Sequence, residues 1–248
     1  MLRIHQKFNH CFALFTILIG CSSELLARSE MDLKRDASSK PYDVLKFSGL
    51  KAGDMVLDFL AGGGYYSELI AEVVAPDGHV VLQNNQAYLP YVGKELDVRL
   101  AKGKLKNVSK LMSEVENLNL GTERFDMVFF VLGYHDLYVK DKDWNMPAEK
   151  VIPQLFNALK PKGKLLIVDH SAVIGSGSHS AQSLHRIEAE FVKNDLTGRG
   201  FKLVRTSDLL QNQADSRTIN VFEPQVRRKT DRFIMLFEKV SEPVDPLP

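Results

Sequence analysis

Cysteine is scarce in this 248-residue chain: Cys11 and Cys21 are its only two, and both lie in or beside an N-terminal apolar run. No disulfide can be built downstream of them, and the rest of the chain has neither a cysteine nucleophile nor a cysteine ligand for zinc. An excess of one charge is also missing. Lys and Arg number 32 against 31 Asp and Glu, a net charge of +1, which gives no general reason to expect nucleic acid or an acidic surface as partner. The spacing HExxH does not occur, and no metal ligands are assigned. What the chain does have is apolar content, 44% of residues, enough at this length for a full core and one α/β domain.

Arg3 and Lys7 precede the apolar run from Cys11 to Ile19, which is too short to cross a bilayer, so residues 1–20 are expected to be a secretory leader outside the fold. Leu18-Ile19-Gly20-Cys21 resembles a bacterial lipobox. That implies a mature chain beginning at Cys21, anchored by lipid on its thiol and exported to the periplasmic side of a bacterial membrane. Residues 21–40 are polar without an apolar period and are expected to form a tether. Residues 41–240 are then the domain and 241–248 a tail.

The domain is organised around Met55 to Ala71, MVLDFLAGGGYYSELIA. Met55 to Phe59 is apolar without alternation, as in a strand buried on both faces, and Tyr65, Leu69, Ile70 and Val73 recur at helical spacing. Between them Gly62, Gly63 and Gly64 permit positive φ and close approach of a ligand to main-chain amides at a helix start. They mark either a ligand cradle or only a strand-to-helix turn. The dinucleotide fingerprint is excluded, because no third glycine follows Gly62 and Gly64 at its offset.

Further along, His79 to Gln83, Asn107 to Met112, Phe125 to Leu132, Leu165 to Val168, Phe201 to Thr206 and Phe233 to Val240 read as strands. Helices are expected over Leu96–Leu105, Pro147–Leu159 and onward from Leu184, the last placing His185 and Glu188 one turn apart. Two strands deliver an Asp and a His to the same edge: Phe125–Leu132 is followed by His135-Asp136, and Leu165–Val168 by Asp169-His170. With His185 and Glu188 they are expected to converge on one rim. Histidine suits proton transfer near neutral pH, and a neighbouring carboxylate fixes its tautomer and raises its basicity. His135 or His170 is the expected base.

The stretch DFLAGGG resembles motif I of the class I S-adenosylmethionine-dependent methyltransferases, and the LKPKG turn before the fifth strand is a second point of likeness. The AGGGYYSE turn, the YHD loop, the DHSA strand end and the LHRIE helix are similar to those of a group of exported predicted methyltransferases. The resemblance implies a Rossmann-like α/β fold, a seven-stranded mostly parallel sheet with helices on both faces. It further implies S-adenosylmethionine as cofactor, held by Asp58, Ala61, Gly62, Gly63, Gly64, Tyr66, Asn84 and Tyr134. The catalytic candidates are His135, Asp136, Asp169, His170 and His185.

Two positions depart from the family pattern. Leu60 stands where the first glycine is usual, and Asn84 where an acid usually binds the ribose; Gln83-Asn84-Asn85 also reads as a plain polar turn, and the tyrosines as core aromatics. The expected activity is methyl transfer to a small or envelope-associated acceptor. The alternatives are a non-catalytic binding lipoprotein that retains the fold, and a His/Asp metal-dependent enzyme.

Overall fold

The computed structural model describes residues 28–103 and 105–240; the leader, Cys21 and the tail lie outside the described residues. Seven strands form one sheet: β1 (Met55–Phe59), β2 (His79–Asn84), β3 (Val108–Met112), β4 (Phe125–Val131), β5 (Leu159–His170), β6 (Phe201–Ser207) and β7 (Arg232–Lys239). Their order is β3-β2-β1-β4-β5-β7-β6. The first five run parallel, and β7 is antiparallel to both of its neighbours. This is the expected Rossmann-like architecture, with the strand order reversing between the parallel neighbours β1 and β4.

The central strands β1, β4, β7 and the later part of β5 are apolar runs because both faces are covered, whereas the edge strands β3 and β6 are mixed and largely exposed. On one face α2 (Pro41–Ser48) and α3 (Tyr65–Val74) bury Val44, Leu69, Ile70 and Val74 against Val56, Phe129 and Leu166. On the other, α5 (Ala148–Ala158) and α7 (Ala189–Thr197) bury Ile152, Leu155, Val192 and Leu196 against Leu57, Val128 and Leu165. Each fully buried aliphatic side chain contributes about 1.5–3 kcal/mol relative to exposure. Among the described residues no helix is long and apolar enough to cross a membrane.

Four elements differ from the expectation. Residues 30–39, assigned to the tether, form helix α1 (Glu30–Ser39), capped by Ser29 and docked on the domain by polar contacts: Asp32 meets Arg99 at 3.0 Å and Asp36 accepts from the Tyr65 hydroxyl at 2.6 Å. The helix expected over 96–105 is α4 (Leu89–Leu100), whose entry is fixed by the Asn85 side chain accepting from the Tyr88 amide and by Pro90 in the first turn. The LKPKG turn is a bulge inside β5, with Lys162 at φ 62°. No single helix carries His185 and Glu188. The short α6 (Ala181–Leu184) ends at His185, whose φ is 52°, and α7 starts after Glu188.

Candidate functional site

The β4 chain end turns through Leu132 at φ 59° and Gly133, where any Cβ would lie 2.9 Å from the Phe130 ring, into a 3-10 turn over His135–Tyr138. This turn lays His135 against the end of β5. His135 Nδ1 donates to Asp169 Oδ1 and its main-chain amide to Asp169 Oδ2, both at 2.8 Å. Asp169 also accepts the His170 amide at 2.7 Å. On the outer side Asp136 Oδ1 lies 3.2 Å from His135 Nε2 and 3.6 Å from His185 Nδ1, while its Oδ2 accepts from the Tyr88 hydroxyl at 3.1 Å.

His185 arrives by a different route. Residues 185–187 run beside the end of β5, with the Ile187 amide donating to the His170 carbonyl at 3.0 Å. They are anchored by Arg186, fully buried, which pairs twice with Asp215 at 2.8 and 3.0 Å. All five catalytic candidates therefore come together. The His135 ring centroid is 6.0 Å from that of His170 and 5.4 Å from that of His185. Glu188, expected with them, is not among them: its carboxylate is spent on the Gly175 and Gly177 amides at 2.8 Å each.

The electrostatics separate the two histidines first considered as bases. Burial opposes charge on His135, but Asp169 and Asp136 outweigh it and hold the imidazole up at about 10. Burial acts against charge on Asp136 as well, yet the two imidazoles keep its carboxyl well below the usual range. Burial pushes His170 the other way, well below an ordinary histidine, and the neighbouring His135, Arg232 and Arg186 add to the effect. At neutral pH His135 is thus a cation between two carboxylates, and His170 is neutral with Nδ1 hydrogen-bonded to Thr230 Oγ1 at 2.7 Å. The expectation that His135 serves as a base gives way to this ion pairing.

Tyr88, Trp144 and Thr230 complete the site. Tyr88 reaches from the loop after β2 to Asp136, over the end of β1, and its ring lies 5.3 Å from that of Trp144, whose indole donates to the Asp136 carbonyl at 2.7 Å. Thr230 falls in the short segment before the antiparallel last strand, which enters the sheet opposite His170. Tyr88 had no sequence signal beyond an aromatic in a polar loop.

At the glycine turn the structure narrows the cofactor set. Asp58 is buried inside, accepts from Ser67 Oγ at 2.6 Å and is pushed by burial up to about 7, so it does not reach the open edge. Tyr66 packs on Tyr65 and Phe129 in the core, and Tyr134 is fully buried with its hydroxyl on Asp195. Both had been expected at the cofactor. A Cβ at Gly63 would run into the Glu95 carboxylate, and one at Gly64, φ 79°, would sit 2.8 Å from Leu82. These glycines serve close packing of the turn against the protein itself.

Gly62 differs: at φ 58° its Cβ position meets only Val92 at 3.7 Å, and with Ala61 it remains half-exposed. Asn84 closes a ring with it, accepting the Gly62 amide and donating to the Gly62 carbonyl at 2.9 Å each. The Asn84 amide retains one N–H and one lone pair. Leu60 is buried at φ 49°, its Cβ 3.8 Å from the Cβ position of Gly133 under the His135 loop. Asn84 is itself fully buried, so Ala61 and Gly62 form the half-exposed edge that a ribose-bearing cofactor would meet, with Asn84 fixing the Gly62 peptide from behind. A cavity of about 500 Å³ lies on the β6–β7 side, lined by Ser171, Glu188, Arg217 and Arg232; none of the five candidates lines it.

Residues 50–221 match the model of a family described as a methyltransferase domain. Over 127 residues the chain is 32% identical to the ubiquinone/menaquinone biosynthesis C-methyltransferase UbiE of Pseudomonas paraeruginosa, covering 51% of this chain and 46% of that protein. The same figures hold for the Pasteurella multocida protein of that name, with 44% of it covered. The chain thus spans about half the length of the curated relatives it matches. Among solved structures, a SAM dependent methyltransferase from Aquifex aeolicus superposes with a TM-score of 0.59 at 22% identity, over 85% of this chain and 97% of that one. Aeropyrum pernix fibrillarin with natively bound S-adenosyl-L-methionine gives 0.51 at 13%, over 79% and 73%. At these identities the structures speak for the fold.

Proposed function

The chain belongs to the class I S-adenosylmethionine-dependent methyltransferases, and from that premise we propose that it transfers a methyl group to a small or envelope-associated acceptor bound beside His170 and His185. The observation that carries this reading is the meeting of Asp169, His135, Asp136, His170 and His185 at the sheet edge that also bears the glycine turn. S-adenosylmethionine, when bound, supplies an electrophilic methyl on a cationic sulfur. Ala61 and Gly62 are the residues that would hold it, with Asn84 fixing the Gly62 peptide.

His170, neutral and oriented by Thr230, accepts the acceptor's proton as the nucleophile forms. His135 holds its own proton between Asp169 and Asp136 and keeps the β4 loop fixed, so that the acceptor meets a rigid wall. Tyr88 and Trp144 close the side toward β2. The UbiE relatives are C-methyltransferases by name, which makes a carbon acceptor the first to try.

A second reading rests on the ring between Asn84 and Gly62, which occupies the ribose-facing amide: the fold holds another small molecule and transfers nothing. Calorimetric titration with S-adenosylmethionine and with its demethylated product tests both. Saturable binding supports transfer. No heat and no thermal shift with either at millimolar concentration overturns it and favours the second reading.

A further inference from the structure

We propose that His135 Nε2, Asp136 Oδ1 and His185 (through a ring nitrogen) form a binding site for a divalent first-row transition-metal ion of the zinc type. The donor atoms of these three residues all lie within 4.8 Å of one another. Their spacing fits shared ligation better than hydrogen bonding. His135 Nε2 and Asp136 Oδ1 are 3.2 Å apart, and His185 Nδ1 and the same oxygen 3.6 Å. The second is too long for a hydrogen bond, and the first is long for a charge-assisted one, which settles near 2.7–2.9 Å. Two ligand atoms each about 2.1 Å from a tetrahedral centre sit about 3.4 Å apart, between the two observed values. The contact between His135 Nδ1 and Asp169, at 2.8 Å, shows what a hydrogen bond looks like in the same site.

The surroundings are those that orient metal ligands. Asp169 fixes the far nitrogen of His135 and leaves Nε2 turned toward Asp136, the carboxylate–histidine arrangement that sets ring orientation in metal centres. Tyr88 occupies Asp136 Oδ2 and leaves Oδ1 facing both imidazoles. His185 is held by the buried pair of Arg186 with Asp215 next to it and by the Phe222 ring at 4.9 Å. Two imidazoles and one carboxylate suit zinc, iron or cobalt rather than magnesium or calcium. The His135 side chain is 4% exposed, Asp136 15% and His185 29%, so the site is dry behind and open in front. Three protein donors leave a coordination position on that open side. The ion would take the place of the proton on His135 Nε2, so the imidazolium described above is the metal-free form of the same site and metal binding releases that proton.

The test uses the full chain, freed of metal by chelation and titrated with Zn2+ and, for spectroscopy, Co2+. One equivalent per chain is expected, with the visible absorption of a low-symmetry Co2+ centre. His185→Ala and Asp136→Asn should each lower affinity about 100-fold or more, and Asp169→Asn about 10- to 100-fold by freeing the His135 ring. His179→Ala, at an exposed histidine outside the cluster, should leave affinity unchanged. Circular dichroism verifies that each variant is folded, and should Asp136→Asn fail to fold, the half-exposed His185→Ala decides. Absence of stoichiometric binding, equal affinity in wild type and folded His185→Ala, or loss of binding in His179→Ala overturns the proposal.

Discussion

Asp169 accepts both the main-chain amide and the ring Nδ1–H of His135, each at 2.8 Å, so that one fully buried carboxylate sets the position and the charge of the residue after β4. In the metal-free chain a cation held there has a pH signature. The His135 pKa is raised from 6.5 to about 10, so its stabilisation is fully present below about 6.5 and is lost as pH rises toward 10. Urea unfolding across this range should show stability falling on the alkaline side. Asp169→Asn should flatten that limb and cost about 3–5 kcal/mol near neutral pH, because a buried charge loses its partner.

His170 should behave in the opposite sense. Its pKa is lowered in the folded protein, so the unfolded chain binds more protons below the ordinary value near 6.5, and stability should fall as pH drops through that region. His170→Gln should remove this acid limb. Ring resonances in NMR titration should find His170 neutral at pH 6 while His135 is charged. If His170 is the base, the same variant should cut methyl transfer about 10²- to 10⁴-fold with cofactor affinity unchanged.

Much of the site was legible because continuous apolar strands such as Phe129-Phe130-Val131 and Leu165-Leu166-Ile167 fix a parallel sheet, and a parallel sheet delivers the residues after its strands to one edge. What lay hidden depended on partners remote in sequence. Helix α1 has little apolar pattern because Asp32 and Asp36 hold it through Arg99 and Tyr65. His185 reads as helical from its spacing, but its left-handed backbone ends α6, and the segment after it is held by Arg186 through Asp215, which comes much later in the chain. The direction of Tyr134 depended on the turn at Leu132 and Gly133, which no periodicity encodes.

We propose that residues 1–20 are a leader removed before Cys21. If Leu18-Ile19-Gly20-Cys21 is read as a lipobox, Cys21 is the lipidated terminus of the mature chain, since stable membrane anchoring takes more than one acyl chain. Metabolic labelling with a fatty-acid analogue should mark the wild type, and Cys21→Ser should lose the label. Native protein with Met1 intact and no label would sink the idea.

The glycine turn offers the sharpest separation of fold from binding. Gly62 and Gly64 both have positive φ, where an L residue costs roughly 1–2 kcal/mol, but their surroundings differ. A Cβ on Gly64 would meet Leu82 at 2.8 Å and Arg99 at 3.1 Å, so Gly64→Val should destabilise the protein beyond that cost. A Cβ on Gly62 meets only Val92 at 3.7 Å, so Gly62→Ala should pay little more than the backbone term. Its methyl would nonetheless stand beside the ring that joins Gly62 to Asn84, where the cofactor is proposed to lie. Calorimetry should therefore find S-adenosylmethionine affinity reduced about tenfold or more in Gly62→Ala, equivalent to about 1.4 kcal/mol, in a protein that still unfolds cooperatively. Unchanged affinity in that variant would move the cofactor away from Gly62, and with it the roles given to Ala61 and Asn84.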